Sequence, residues 1–210
     1  MQEVDGRRQR WAGHRQVRRA EFVGAALEAI RAHGPQTGLD EIAAQAGVSK
    51  PVLYRHFADR SDLFAAVLDA IADEVLLPQI GLEALADAGG ELTDGETVRR
   101  VVQAFVTVVD DEPHLYRFAL RHAGVGSDGD FVAATERRIA VALSALVGDR
   151  LRALGLDSGG AQVWAFGVVG MVQLATRRWA DERSMSADAL VDYLVRIIQG
   201  GLVALTTPPA

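Results

Sequence analysis

Apolar residues recur along this chain at spacings of three and four, and no stretch alternates convincingly in twos. The pattern predicts helices throughout and no sheet. The first helix reads "RQVRRAEFVGAALEAIRAHG", with Val17, Phe22, Ala25, Ala26 and Ile30 on one face and His33-Gly34 as its end. A short helix, "LDEIAAQAG", stops at Gly47; "SKPVLYRHF" follows, then "SDLFAAVLDAIADEVLLPQI", interrupted by Pro78. Five further helical segments come next: "ETVRRVVQAFVTVVDD", "PHLYRFALRHA", "DFVAATERRIAVALSALVGDRLRAL", "AQVWAFGVVGMVQLATRRWADE" and "SADALVDYLVRIIQGGLVAL". Loops rich in Gly and Asp punctuate them at 86–95, 124–130 and 155–160. The expected fold is all-α, with about nine helices.

The last two helices stand apart from the others. Residues 164–175 are apolar nearly all round, with Gly167 and Gly170 permitting close approach, and Val168, Met171 and Val172 lie among them. Residues 190–205 carry Leu190, Leu194, Ile197 and Leu205 on one stripe, with Val191, Val195, Ile198 and Leu202 beside it. A helix apolar over most of its circumference must be covered on several sides. The pattern leaves two arrangements open, the centre of a monomeric bundle or half of a four-helix interface with a second copy.

Residues 37–60 carry the densest local signal. A short helix with Ile42, Ala43 and Ala46 inward ends at Gly47, which can take positive φ; Val48 packs inward and Ser49 can cap the next helix. Two helices across a short glycine-containing turn form the helix-turn-helix pattern. Pro51 falls in the first turn, where no intrahelical N–H is needed, and Leu53 and Phe57, four apart, anchor the helix. The N-terminal turn of such a second helix enters the DNA major groove. Lys50 adds charge there and can reach guanine, Pro51 and Val52 offer apolar contact to a thymine methyl, and Tyr54 and His56 can donate to phosphate. Arg60, opening the following helix, is placed for the backbone.

Charge sharpens this division. The 210 residues carry a net charge of −6, yet residues 1–60 hold 10 Lys+Arg against 7 Asp+Glu, and residues 61–210 hold 12 against 21. A basic module on an acidic body admits a polyanion partner for the first part alone. The sign changes near residues 58–62, which predicts a DNA-binding domain over 1–60 and a helical domain over 61–210. Zero cysteines exclude disulfides and thiolate metal sites. No apolar run reaches the roughly 18 residues of a membrane helix, and the first residues do not read as a secretory signal. A cytoplasmic protein without membrane contact is expected. No G-x-S-x-G, H-E-x-x-H or phosphate loop occurs. "DDEPH" (110–114), with His114 and the later His122, reads as a solvated turn and N-cap rather than a metal site. Neither an enzyme, a metal nor a cofactor is expected.

"DEIAAQAGVSKPVLYRHFADRSDLF" closely resembles the DNA-binding signature of the tetracycline-repressor (TetR) family of bacterial regulators, over roughly residues 15–66. Three positions depart from the family pattern: Gly38 where Ser or Thr is common, Pro51 where Gly is frequent, and Arg60 where Lys is usual. The resemblance implies a homodimer joined by the last two long helices, through Val168, Met171, Val172, Leu190, Leu194, Ile197, Ile198 and Leu202. It implies DNA contacts at Lys50, Pro51, Tyr54, His56 and Arg60, with Thr37 and Ser49 touching phosphate. It also implies a small-molecule pocket among the middle helices, for which Phe105, Tyr116, Phe118, His122, Phe131 and Trp164 are the candidates. The function so implied is a repressor released from a palindromic operator by its ligand.

Overall fold

The computed structural model describes residues 3–81, 95–123 and 131–206. The predicted loops at 86–95 (all but Gly95) and 124–130, and the side chain of Phe131, lie outside the described residues. Every described element is helical: α1 Glu3–His33, α2 Leu39–Gln45, α3 Lys50–Leu53, α4 Arg60–Ala70, a π-helical stretch Ile71–Leu76, α5 Leu77–Ile80, α6 Gly95–Asp111, α7 Pro113–Arg121, α8 Phe131–Ala153, α9 Gly160–Glu182 and α10 Ala187–Thr206. Pro78 explains the π-helical stretch. It has no N–H to give to Glu74 and its ring presses on that carbonyl, so the backbone widens before it and resumes as α5. Gly81, at φ 64°, then closes α5 in the left-handed region.

The chain divides into two compact units. One gathers the chain up to Ile71 together with the segment that starts at His114; the other holds Ala72–Pro113 and the chain from Val132 onward. The first unit therefore includes α7, a segment that the charge pattern assigns to the C-terminal domain.

In the first unit α1 packs on α2 and α4. Its buried face is Phe22, Val23, Ala26, Leu27, Ala29 and Ile30, whereas Val17, expected on that face, is exposed. Among the residues of α1 from Arg15 onward, the buried ones begin at Phe22. Phe64, Val67 and Leu68 of α4 and Leu115 and Phe118 of α7 are buried as well. Phe64 meets Phe118 edge-on at 5.2 Å and the His122 ring at 4.8 Å. His114 Nδ1 lies 2.9 Å from the Arg31 carbonyl, so α7 is tied to the end of α1 as well.

In the second unit α10 packs chiefly along α6. Val98, Val102, Val106 and Val109 recur at helical spacing on α6 and are buried, as are Leu190, Val191, Leu194, Val195 and Ile198 on α10. Each such side chain contributes about 1.5–3 kcal/mol when fully buried. Arg99 pairs with Asp192 across these helices at 2.5 Å. The α9–α10 corner is held by Arg183, left-handed at φ 48°, which stacks on Trp179 and pairs with Asp110.

These contacts redistribute the residues expected at a partner interface. Leu190, Leu194 and Ile198 belong to the chain's own core, because α10 turns that stripe toward α6. Val168, Met171, Val172 and Leu202 are half-buried. Of the eight, Ile197 alone is exposed, at 57%. The apolar surface left open runs instead through Val163 (77% exposed), Phe166 and Leu174 on α9 and Tyr193, Ile197 and Val203 on α10. A Cβ added at Gly167, Gly170 or Gly200 would meet nothing within 4 Å, so this face is also shallow.

The candidate pocket residues are divided between the two units. Phe118 and His122 pack with Phe64 inside the first unit, to which Tyr116 also belongs. Trp164 packs against the buried Val147, Leu151 and Ala161 of the second unit, with its indole so close to α10 that a Cβ on Gly201 would come within 2.9 Å of Nε1. Phe105 is half-buried in that unit. An open groove of about 560 Å³ in the second unit is lined by none of the six; Glu96, Arg99, Asp192, Val195, Arg196 and Gln199 line it.

Candidate nucleic-acid interface

The turn between α2 and α3 is built by backbone geometry. Gly47 takes φ 65°, where a side chain would be strained, and Val48 N–H returns to the Ala43 carbonyl at 2.9 Å. α3 itself is a single α-helical turn, shorter than the periodicity predicts, because the chain tightens after Leu53: His56 and Phe57 both donate to its carbonyl. Leu53 and Phe57 are buried, at 2% exposure each, and pin this turn to the core. The rest of the segment consequently faces outward. Lys50, Pro51, Tyr54 (47% exposed) and Arg55 lie on or near this surface, with Val52 half-buried beside them.

Two helix starts work differently from the expectation. Ser49 occupies the N-cap position of α3 but makes no side-chain capping bond. Pro51, at the second helical position, has no N–H to offer, and the Val52 N–H donates to the Ser49 carbonyl at 2.9 Å. Thr37 is buried, at 3% exposure, and its hydroxyl donates to the Gly34 carbonyl at 2.7 Å. It thus holds the α1–α2 turn and is no longer among the residues available to phosphate. Gly38 caps α2 through its backbone, donating its N–H to Glu41 Oε2 at 3.0 Å.

Lys50 is held in place before any ligand arrives. Its Nζ lies 2.7 Å from Asp40 Oδ1, and this bond raises the ammonium's pKa above its ordinary value. The pair positions the charge at the start of α3, and Asp40 would be exchanged for any phosphate that Lys50 takes. His56 is half-buried, its ring edge-on to Phe22 at 5.1 Å. Its Nδ1 is buried without a hydrogen-bond partner, so Nε2 is the nitrogen left to serve an outside acceptor. Arg60 is exposed, with its guanidinium 4.7 Å from the Phe64 ring centroid.

This helix-turn-helix also agrees with known protein families. The profile described as "Bacterial regulatory proteins, tetR family" matches residues 22–67. A second, described as "Tetracyclin repressor-like, C-terminal domain", matches residues 82–208. The chain belongs to the TetR family. It is therefore a DNA-binding transcriptional regulator and not an enzyme. An uncharacterized HTH-type transcriptional regulator of Mycobacterium tuberculosis, Rv0472c, is 39% identical over 202 residues, covering 96% of this chain and 84% of the relative. The HTH-type transcriptional activator FasR of Mycolicibacterium smegmatis is 31% identical over 192 residues, covering 90% and 84%. A TetR-family regulator of Pectobacterium atrosepticum shares the fold at TM-score 0.67, with 24% identity, over 94% of this chain and 98% of that one. Among the described residues no helix is long and apolar enough to cross a membrane.

In this TetR-family chain the residues that hold the helix-turn-helix are partly ones that no local motif reveals. Arg19 of α1 makes a two-pronged bridge to Asp62 of α4, at 2.5 and 3.0 Å, and its Nη1 also donates to the His56 carbonyl at 2.8 Å. Its guanidinium lies 4.2 Å from the Phe57 ring centroid. Asp62 in turn accepts the Ala58 N–H at 2.8 Å. One arginine thereby fixes the exit of α3, the entry of α4 and the anchoring aromatic. The Arg19 bond, followed by the Ala58 N–H, holds the Asp62 carboxyl below its ordinary range. Asp59 caps α4 by accepting the Asp62 N–H at 2.9 Å, so that helix opens at Arg60. The Asp59-to-Asp62 spacing is the sequence signal that could have shown the cap; nothing in the sequence pairs Arg19 with Asp62.

Proposed function

We propose that this TetR-family chain binds a palindromic operator as a homodimer and represses transcription until a small molecule releases it. The observation that carries the DNA-reading part is the surface of Lys50, Pro51, Val52, Tyr54 and His56, raised on the buried Leu53 and Phe57. Lys50 and Pro51 would approach base edges, while Ser49, Tyr54, His56 Nε2 and Arg60 would take phosphate. The apolar face of Val163, Phe166 and Leu174 on α9 and Tyr193, Ile197 and Val203 on α10 supports the homodimer. Exposed apolar surface of this kind marks a protein contact, and a twofold would pair it with itself. The effector would be held among the helices of the second unit, and the protein would act in the cytoplasm, with the DNA. A second reading, activation, is favoured by one observation: FasR, 31% identical, is an activator.

Selection of duplexes from a random pool by the purified chain tests the first step. An enriched inverted repeat, bound by a dimer in sedimentation, is the expected result. A monomer with equal affinity for every duplex would sink the proposal. Lys50→Ala should cost about 1–3 kcal/mol and relax one operator position if Lys50 reads a base, or weaken all duplexes evenly if it holds phosphate. Transcript from the selected promoter should rise when the gene is deleted; a fall would establish the activator instead.

A further inference from the structure

The first turn of α2 carries two acids side by side, Asp40 and Glu41, and they are used differently. Glu41 closes the turn on itself, its Oε2 accepting the Gly38 N–H at 3.0 Å. Asp40 instead reaches across to α3, where its Oδ1 lies 2.7 Å from Lys50 Nζ. The Asp40 side chain is 77% exposed and that of Lys50 44%, so the pair stands on the outer surface of the helix-turn-helix. Lys50 is the only lysine in the chain. Its charge, at the start of α3, is therefore matched by a carboxylate in the free protein.

The pair is not what holds α2 in place. Gly38 and Glu41 cap that helix, and Ile42 and Ala43 anchor it in the core. An ion pair this exposed adds little to folding. Its consequence falls instead on what Lys50 binds, and two kinds of target treat it differently. A phosphate is an anion, so it competes with Asp40 for the ammonium and is repelled by the carboxylate. A guanine edge is neutral and presents O6 and N7 as acceptors. The ammonium has three N–H donors, so one can stay on Asp40 while another reaches the base. The backbone contact, common to all sequences, is penalised; the base contact is spared.

We propose that Asp40 is a specificity-determining residue, whose ion pair with Lys50 suppresses binding of that lysine to phosphate and keeps it for a base edge. The inference rests on the DNA-binding reading above, in which Lys50 approaches base edges. It adds a residue of α2 that acts through Lys50 and so positions a contact rather than making one.

The test uses the full chain, the duplex it selects and a scrambled duplex of the same length. Asp40→Asn keeps the size of the side chain and removes its charge. It should tighten binding to the scrambled duplex by about threefold per subunit, or about tenfold for a dimer. The salt slope there should steepen by about 0.9 for each phosphate that Lys50 now neutralises. Affinity for the selected duplex should change by no more than about twofold, so the ratio between the two falls. In a Lys50→Ala background the same substitution should have no effect on either duplex, because its partner is gone. Isotope-labelled lysine gives a single side-chain resonance in this chain, and Asp40→Asn should bring its titration down toward the ordinary 10.5. An equal gain on both duplexes, a gain that persists without Lys50, or a Lys50 titration unmoved by Asp40→Asn overturns the proposal while leaving the helix-turn-helix reading intact. A native chain that selects no duplex overturns both.

Discussion

The exposed face of α3 and the exposed face of α9 and α10 are built from opposite materials. Around α3, Lys50, Tyr54, Arg55 and the edge of His56 stand in solvent over a buried Leu53 and Phe57. On α9 and α10, Val163, Phe166, Leu174, Ile197 and Val203 stand in solvent over a buried Ala165, Leu194 and Ile198. In both places the inward residues belong to a core within the chain, and the outward residues face solvent. The basic and aromatic face is suited to a polyanion; the apolar face lowers its free energy only by excluding water against another apolar surface. The contrast shows that a site is defined by what the core beneath it leaves unused.

The largest expected effect breaks the apolar side of the comparison. Ile197→Glu puts a carboxylate on each side of the proposed twofold, each costing at least about 2 kcal/mol when buried unpaired, so dimer dissociation should rise by roughly a thousandfold. Sedimentation equilibrium reads this directly, and an unchanged dimer would remove Ile197 from the interface. Leu194→Ala, one turn inward, should instead cost the chain about 2–5 kcal/mol of folding stability in denaturant titration. If the two substitutions behaved alike, the division between core and interface on α10 would be wrong.

A smaller effect tests how the polar face is supported. Arg19→Met should remove about 1 kcal/mol of stability from the first unit, a figure discounted because the bridge to Asp62 is about one-third exposed. It should also weaken operator binding, since the His56 carbonyl loses its tether. The pH dependence follows from Asp62, whose carboxyl is held below its ordinary 3.8. The folded state keeps this group ionised, so its stabilisation is complete above that value and is lost as pH falls through the lowered one. Asp62→Asn should flatten this acid limb in thermal melts.

The smallest expected effect concerns His122, which packs on Phe64 and Phe118. Burial first, then the charges of Arg60 and Arg121, lowers its pKa from 6.5. The unfolded chain takes up the proton before the folded one does, so the first unit should lose stability as pH drops from about 6.5 toward the lowered value. His122→Gln should remove that dependence below about pH 6.5, and a melting profile unchanged by the substitution would show that the ring titrates freely.

The helix-turn-helix was largely legible because its geometry is local. Gly47, Val48, Ser49, Leu53 and Phe57 lie within eleven residues, and each constrains the next through a backbone angle or a single helical turn. The exceptions there are also instructive. Thr37 turned inward because Gly34, three residues before it, presents a carbonyl at hydrogen-bond distance, and Ser49 makes no capping bond beside Pro51, which has no N–H to give. The C-terminal helices were legible only as apolar. Periodicity marks Leu194 and Ile197 alike, and the packing of α6 along α10 is what separates them. The aromatic residues Phe118, His122 and Trp164 were likewise recognisable as inward-facing, but not as members of separate cores.

By itself, then, the sequence determined the helices, the turn that joins α2 to α3 and the family to which the chain belongs, all of which depend on residues close together along it. Tertiary structure alone decided that Arg19 reaches Asp62 across 43 positions, that α7 joins the unit that holds the helix-turn-helix, and that α10 keeps Leu194 while exposing Ile197. The reason is that a helix's hydrophobic pattern states how much surface must leave water, whereas the partner that covers it is set by helices distant in the chain.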